Sequence, residues 1–324
     1  MNRMKVYPVK ALQDNYMYLL VDESTRQAAA VDPVNASAMA DAVSSHGAEL
    51  KCILTTHHHY DHAHGNSDML TMFPDLVVYG GDQRVQALTK SVAHGEIIKL
   101  GSLTIECLST PCHTRGHVCY YVHNCEIPSA GVQSFSASPE TAPAANGGSD
   151  QQIGANSIGA PGNAEFPASP PPSQTASAPA CSSPQGSQAN AIERVVFTGD
   201  TLFIAGCGRF FEGTSEQMDL NLNTVLGGLP NDTRVYCGHE YTVSNLKFAL
   251  AVEPQNTDIK MKLDWALAKV AKREPTVPST IGEEKRINPF MRLNKSQVRR
   301  FAREQSDLEV MSALRQKKNE FVAS

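Results

Sequence analysis

Six consecutive residues, His57-His58-His59-Tyr60-Asp61-His62, constrain this chain more than any other stretch, because they concentrate metal-binding side chains in one short loop. His57 and His59 alternate, so a turn can aim both imidazoles at one divalent cation. Asp61 and His62 then point to a neighbouring position, where a second cation would lie a few ångströms away. Mixed imidazole and carboxylate donors suit zinc, iron(II) or manganese better than calcium or magnesium. The apolar run Cys52-Ile53-Leu54-Thr55 reads as a buried strand that ends in this loop. From Ala63 to Phe73 the pattern is helical, and Pro74 closes it. His58 and His64 fall outside the alternation and are expected to support the site from outside or to be exposed.

A complete centre needs further ligands, and the chain offers them where strands end. His113 follows the strand-like Leu103-Thr104-Ile105-Glu106-Cys107-Leu108, Asp200 follows Val195-Val196-Phe197-Thr198-Gly199, and His239 closes Arg234-Val235-Tyr236-Cys237-Gly238. Each candidate comes after a β-rich run, which places all of them at one rim of a sheet scaffold, a common way to build a binding site. His117, four residues beyond His113, is expected to pack or hydrogen-bond beneath the site.

A length of 324 residues is enough for two domains with a sizeable core. The net charge of −5 gives no reason to expect a nucleic-acid partner. Eight cysteines scattered without framework spacing argue for free thiols in a reducing, cytoplasmic compartment. No apolar run approaches the ~20 residues a membrane helix needs. The N-terminal Met1 to Val9 runs straight into a strand pattern, so no signal or transit peptide is expected.

One compositional break is large. From about residue 126 to 192 the chain is rich in Ser, Ala, Pro, Gly, Gln and Asn, and no Lys or Arg occurs between Arg115 and Arg194. So few large apolar side chains cannot offset the entropy of ordering, and the segment is expected to be a disordered insertion. It interrupts the link between the strands Val118 to Val122 and Arg194 to Thr198. Long loops add little closure entropy, only ~0.6 kcal/mol per doubling, so a fold can carry it.

After His239 the pattern turns helical. Asp258 to Arg273 puts Ile259, Leu263, Ala266, Leu267 and Val270 on one face, with Lys260, Lys262 and Lys269 elsewhere. Thr280 with Glu283 reads as a capping box. Asp307 to Lys318 gives another helix with a stripe of Leu308, Met311 and Leu314. The expected class is therefore α+β: a strand-rich region over 1–240, interrupted at 126–192, and a helical region over 241–324.

The set His57-x-His59-x-Asp61-His62, His113, Asp200, His239 resembles the ligand series of the metallo-β-lactamase superfamily. Within it, the chain resembles the glyoxalase II family, the hydroxyacylglutathione hydrolases, through Asp14-Asn15-Tyr16, Thr55 to Asn66, Thr110 to Tyr121, Cys207-Gly208-Arg209-Phe210, Gly238 to Tyr241, Pro275 to Thr280 and Asn288-Pro289-Phe290-Met291-Arg292. That resemblance implies an αββα sandwich followed by a C-terminal helical domain. It implies two divalent ions, zinc with iron or manganese as alternatives. His57, His59 and His113 would hold one, Asp61, His62 and His239 the other, with Asp200 shared and a bridging hydroxide held between Asp200 and Asp61. The hydroxide would attack a thioester carbonyl, so no nucleophilic Ser or Cys is needed, and Cys112, Cys207 and Cys237 read as small buried thiols. Arg209, Phe211, Tyr241, Arg315 and Lys318 would bind a glutathione thioester, S-D-lactoylglutathione, in a monomer without nucleic-acid or membrane partners. Phe211 departs from the family, which commonly has Tyr there, and Arg209 replaces a frequent Lys. The alternatives are a persulfide dioxygenase, which would use one iron and leave the second ligand set idle, or another hydrolase on the same fold.

Overall fold

The computed structural model describes residues 4–124 and 192–322, so nearly all of the low-complexity segment expected over 126–192 lies outside the described residues. In chain order the elements are β1 (Met4–Ala11), β2 (Asn15–Asp22), β3 (Gln27–Val31), α1 (Ala36–Ser45), β4 (Glu49–Leu54), α2 (Tyr60–Ala63), α3 (Asn66–Met72), β5 (Val77–Gly80), β6 (Lys90–Ser91), β7 (Ile97–Leu100), β8 (Leu103–Ser109) and β9 (Val118–His123). They continue with β10 (Arg194–Gly199), β11 (Leu202–Phe203), β12 (Gly206–Cys207), α4 (Ser215–Asp219), β13 (Arg234–Cys237), α5 (Thr242–Val252), α6 (Thr257–Ala271), β14 (Ser279–Thr280), α7 (Ile281–Ile287), α8 (Ser296–Ala302) and α9 (Asp307–Glu320).

Two mixed sheets form. One runs β1-β2-β3-β4-β5-β6 and the other β14-β13-β10-β9-β8-β7, while β11 and β12 make a small separate hairpin. Side-chain alternation explains why both sheets are covered on both faces. On β2, Tyr16, Tyr18 and Leu20 meet Tyr120, Val122, Phe197 and Tyr236 of the other sheet. Its Met17, Leu19 and Val21 pack under Met39 and Val43 of α1 and Met69 of α3. In the second sheet Val195 and Phe197 face inward, whereas Val196 and Cys119 turn out to Phe248, Phe290 and Met311 of the helical region. A strand buried on both faces reads as a continuous apolar run, and β2 is buried along its whole length. The layers are therefore helix, sheet, sheet, helix, as expected.

Four helical expectations need correction. The helix expected from Ala63 breaks into α2 and α3 at His64-Gly65, where the backbone passes so close to the Pro33 carbonyl that a Cβ at Gly65 would lie 2.0 Å from its oxygen. On α6, Leu267 and Val270 are exposed, while Lys262 is drawn in to pair with Glu283 at 2.9 Å and to lie 3.8 Å over the Trp265 ring. That pairing also removes Glu283 from the capping box; Thr280 still caps α7 by accepting from the Glu283 N–H. On α9 the buried positions are Val310, Met311, Leu314 and Arg315, and Leu308 is exposed. The stripe is rotated because α9 packs beside α4 and α8 rather than over the sheet alone.

Candidate metal centre

One rim of the sandwich gathers the candidate ligands from several strand ends and loops. The turn after β4 carries His57 and His59, α2 carries Asp61 and His62, the β8–β9 loop carries His113, the end of β10 carries Asp200, and the end of β13 carries His239. The rim is tight. Gly199, at φ +44°, and Gly238 have no space for a Cβ, which would lie 2.5 Å from Thr56 Oγ1 and 2.6 Å from Asp200 Oδ1 respectively.

The seven side chains come together as two groups joined by Asp200. In the first, His57 Nε2 is 3.0 Å and His113 Nε2 3.1 Å from His59 Nδ1, and His113 Nε2 is 3.5 Å from Asp200 Oδ2. In the second, His62 Nε2 is 3.2 Å from His239 Nε2, and these nitrogens lie 3.3 and 3.4 Å from Asp200 Oδ1 and 3.6 and 3.3 Å from Asp61 Oδ2. Zinc–nitrogen bonds of about 2.05 Å in a tetrahedron give ligand edges of about 3.3 Å. The observed separations are those edges. Two cations fit these residues, one in each group.

The charge balance agrees with that fit. Asp200 Oδ1 is buried with no hydrogen-bond partner. Burial holds His57, His59 and His113 below the ordinary imidazole range, so they are neutral and can donate lone pairs. Burial would also lower His62 and His239, but the Asp200 carboxylate overrides it and lifts both, His239 to about 10. With protons alone, two carboxylates thus hold two imidazoles charged; a cation between them would take the place of those protons.

The outward-facing ring nitrogens fix four of the five imidazoles. His62 Nδ1–H donates to Asp32 Oδ2 at 3.0 Å, His239 Nδ1–H to Asp14 Oδ1 at 3.0 Å, His113 Nδ1–H to the Arg209 carbonyl at 3.0 Å, and His57 Nδ1–H to Thr56 Oγ1 at 3.1 Å. Asn15 Nδ2 donates to Asp61 Oδ2 at 3.0 Å. Of these supports, Asp32 and Thr56 escape the sequence reading. The signal for Asp32 is the run Ala28-Ala29-Ala30-Val31-Asp32, an apolar strand ending in a carboxylate like the one before Asp200. His117 lies beneath the centre. Its Nε2 accepts from the Asp200 N–H at 3.2 Å, so its proton sits on Nδ1, beside the hydroxyls of Thr110 and Thr201. His64 is exposed and stacks on Tyr60 at 4.0 Å, whereas His58 is partly covered, with a buried Nδ1 that has no partner.

A cleft of about 400 Å³ opens from His113 and Asp200 and contains Arg209, Phe211, Tyr241, Arg315 and Lys318 in its walls. Phe211 is exposed, edge-on to His59 at 6.0 Å, and Tyr241 stacks flat on His239 at 4.7 Å. Arg315 is buried, and its Nη1 donates to the Cys207 carbonyl at 2.7 Å. Lys318 Nζ donates to Ser244 Oγ at 3.2 Å, and burial, then the nearby Arg315, bring its pKa down to about 8. Cys112, Cys207 and Cys237 are buried, and burial raises each thiol to about 12, 11 and 12 respectively, far from the thiolate a nucleophile needs. Among the described residues no helix is long and apolar enough to cross a membrane.

A family model described as the hydroxyacylglutathione hydrolase C-terminus matches residues 240–321. The cytoplasmic hydroxyacylglutathione hydrolase of Arabidopsis thaliana is 40% identical over 320 residues, covering 98% of this chain and 99% of that one. A hydroxyacylglutathione hydrolase-like protein of Gallus gallus is 39% identical over 318 residues, covering 98% and 90%. Among solved structures, ETHE1 from Myxococcus xanthus superposes with a TM-score of 0.53 at 20% identity, covering 97% of both chains. A metallo-β-lactamase from Staphylococcus aureus superposes at 0.55 and 16% identity, covering 97% of this chain and 67% of that one. At such identities the likeness is one of fold, and the fold is that of the metallo-β-lactamases.

Proposed function

This chain belongs to the hydroxyacylglutathione hydrolase (glyoxalase II) family of the metallo-β-lactamase superfamily, and we propose that it hydrolyses S-(2-hydroxyacyl)glutathione thioesters. S-D-lactoylglutathione is the expected substrate, giving glutathione and D-lactate, the second step of methylglyoxal detoxification, in the cytoplasm. The observation that carries this reading is a doubled ligand set opening directly into a cleft that, away from Asp200, carries the cations Arg209, Arg315 and Lys318 in its walls.

His57, His59, His113 and Asp200 would hold one divalent ion, and Asp61, His62, His239 and Asp200 the other, with zinc the best match to the donors and iron(II) or manganese next. When bound, such ions supply a water acidic enough to ionise near neutral pH and a Lewis acid for the thioester carbonyl. The chain does the rest. Asp200, which lines the cleft, and Asp61, about one-third exposed and steadied by Asn15, offer the carboxylates that would accept an attacking water's proton. Addition of the water oxygen to the carbonyl carbon and cleavage of the C–S bond release the thiolate into a cleft of positive charge. Tyr241 and Phe211 offer aromatic walls next to the scissile group, and Lys318 and Arg209 attract the carboxylates of glutathione at a distance from it.

The test is turnover of S-D-lactoylglutathione by metal-analysed protein. Free thiol released in step with two bound ions per chain is the expected result. A protein with two ions that leaves this thioester intact but cleaves others would move the substrate assignment. One ion and oxygen consumption with a glutathione persulfide would replace the hydrolase by the dioxygenase.

A further inference from the structure

The hairpin between Thr201 and Arg209 connects two parts of the molecule that the reaction does not obviously join. Its turn is buried, and Ala205 is held at φ +55°, a left-handed conformation that disfavours any residue with a Cβ. Buried backbone groups away from water need partners, and here side chains of the helical region supply them. Glu284 Oε2, on α7, accepts from the Ala205 N–H at 2.8 Å. Asn288 Nδ2 donates to the Gly206 carbonyl at 3.0 Å, and Asn245 Nδ2, on α5, to the Ile204 carbonyl at 3.1 Å. Glu284 is itself completed by Ser279 Oγ at 2.6 Å and Asn288 Nδ2 at 3.1 Å. Past the turn, Arg315 takes the Cys207 carbonyl, and two residues further the Arg209 carbonyl accepts from His113 Nδ1.

We propose that Glu284 is a positioning residue for the metal centre: by fixing the buried turn at Ala205 it places the Arg209 carbonyl, which sets the ring of His113. The helical region would then serve the centre as well as the substrate. This rests on the dinuclear reading of the site. His113 belongs to one group of ligands only, so a loosened turn should weaken one ion and spare the other. The required group is a hydrogen-bond acceptor rather than a charge. A glutamine could keep its oxygen on Ala205 and Asn288 while its amide nitrogen donates to the Ser279 hydroxyl.

The experiment is stepwise removal of Zn²⁺ by a chromophoric chelator from the full-length wild type, Glu284→Ala and Glu284→Gln, with Co²⁺-substituted protein reporting by its absorption spectrum which ligand group has changed. A wild type with two ions is expected, together with a Glu284→Ala variant that loses one of them about 10-fold or more too easily. In that variant the spectrum of the His57/His59/His113 ion should alter. Glu284→Gln should match the wild type. Glu284→Ala that keeps both affinities, or loosens both equally, overturns the proposal, and so does Glu284→Gln behaving as Glu284→Ala. A wild type that binds fewer than two ions refutes the dinuclear centre and the proposal with it. Should Glu284→Ala fail to fold, Asn245→Ala, which releases the same turn from α5, decides by the same selective loss or its absence.

Discussion

Asp22, at the end of β2, offers a sharp test of how the two sheets are tied together away from the centre. Its buried carboxylate accepts from Ser24 N–H at 2.9 Å, Ser24 Oγ at 2.7 Å and Thr25 Oγ1 at 2.9 Å, all in its own sheet's turn. The fourth donor, Ser102 N–H at 2.6 Å, comes from the β7–β8 turn of the other sheet. Burial alone would raise its pKa, but these donors prevail and bring it from 3.8 to about 2. That difference corresponds to about 2 kcal/mol of folding stability. Because the folded-state pKa is depressed, this contribution is present above pH 3.8 and is lost as pH falls through about 2. In Asp22→Asn, two of the four donors face an amide nitrogen whichever way the side chain turns. Urea unfolding of wild type and variant should therefore differ by about 2 kcal/mol at pH 7 and by roughly half as much at pH 3, since every other titrating group is shared and cancels. A difference that stays constant between these pH values would refute the assignment of Asp22 as an ionised staple.

Other outcomes follow from the centre and the cleft. Asp200→Ala should lower bound metal below two ions, measured by elemental analysis, and turnover by at least ~100-fold, because one carboxylate reaches both ligand groups. Asp32→Asn can keep its oxygen on the Thr56 N–H only by turning an amide nitrogen toward His62 Nδ1 and Thr56 Oγ1, and should weaken the ion on the His62 side by ~10–100-fold in chelator competition. Lys318 loses its charge as pH rises through about 8, so KM for the anionic thioester should climb above that pH in the wild type. In Lys318→Met, KM should be higher at pH 7, flat through pH 8, and accompanied by an unchanged kcat, because the contact is remote from the reacting carbon.

Much of this architecture can be read from the chain because strands ending in His or Asp carry a local signal: Leu103 to Leu108 before His113, Val195 to Gly199 before Asp200, Arg234 to Gly238 before His239. The helical faces are less legible. Leu267 and Val270 look like core by periodicity, yet α6 shows them to solvent, and only the neighbouring α7, through Glu283, explains why Lys262 is drawn in instead. Arg315 reads as a substrate-binding cation, and no local pattern announces that it is buried with the Cys207 carbonyl within its reach. Glu284 is hidden for the same reason. A buried carboxylate is defined by donors brought from far along the chain, and those donors are neutral residues such as Thr56, Ser279 and Ala205.

The placement of the ligands across the sandwich also bears on how the molecule comes apart. His57, His59, Asp61 and His62 extend from the first sheet, whereas His113, Asp200 and His239 extend from the second. Neither sheet carries a full coordination shell, so each ion would act as a rivet driven through both plates. A rivet can be set only after the plates are aligned: the chain must find its topology first, and the ions then lock a finished assembly rather than template it. Their binding free energy would add to global stability while leaving early folding steps untouched, so saturating metal should slow unfolding far more than it speeds folding.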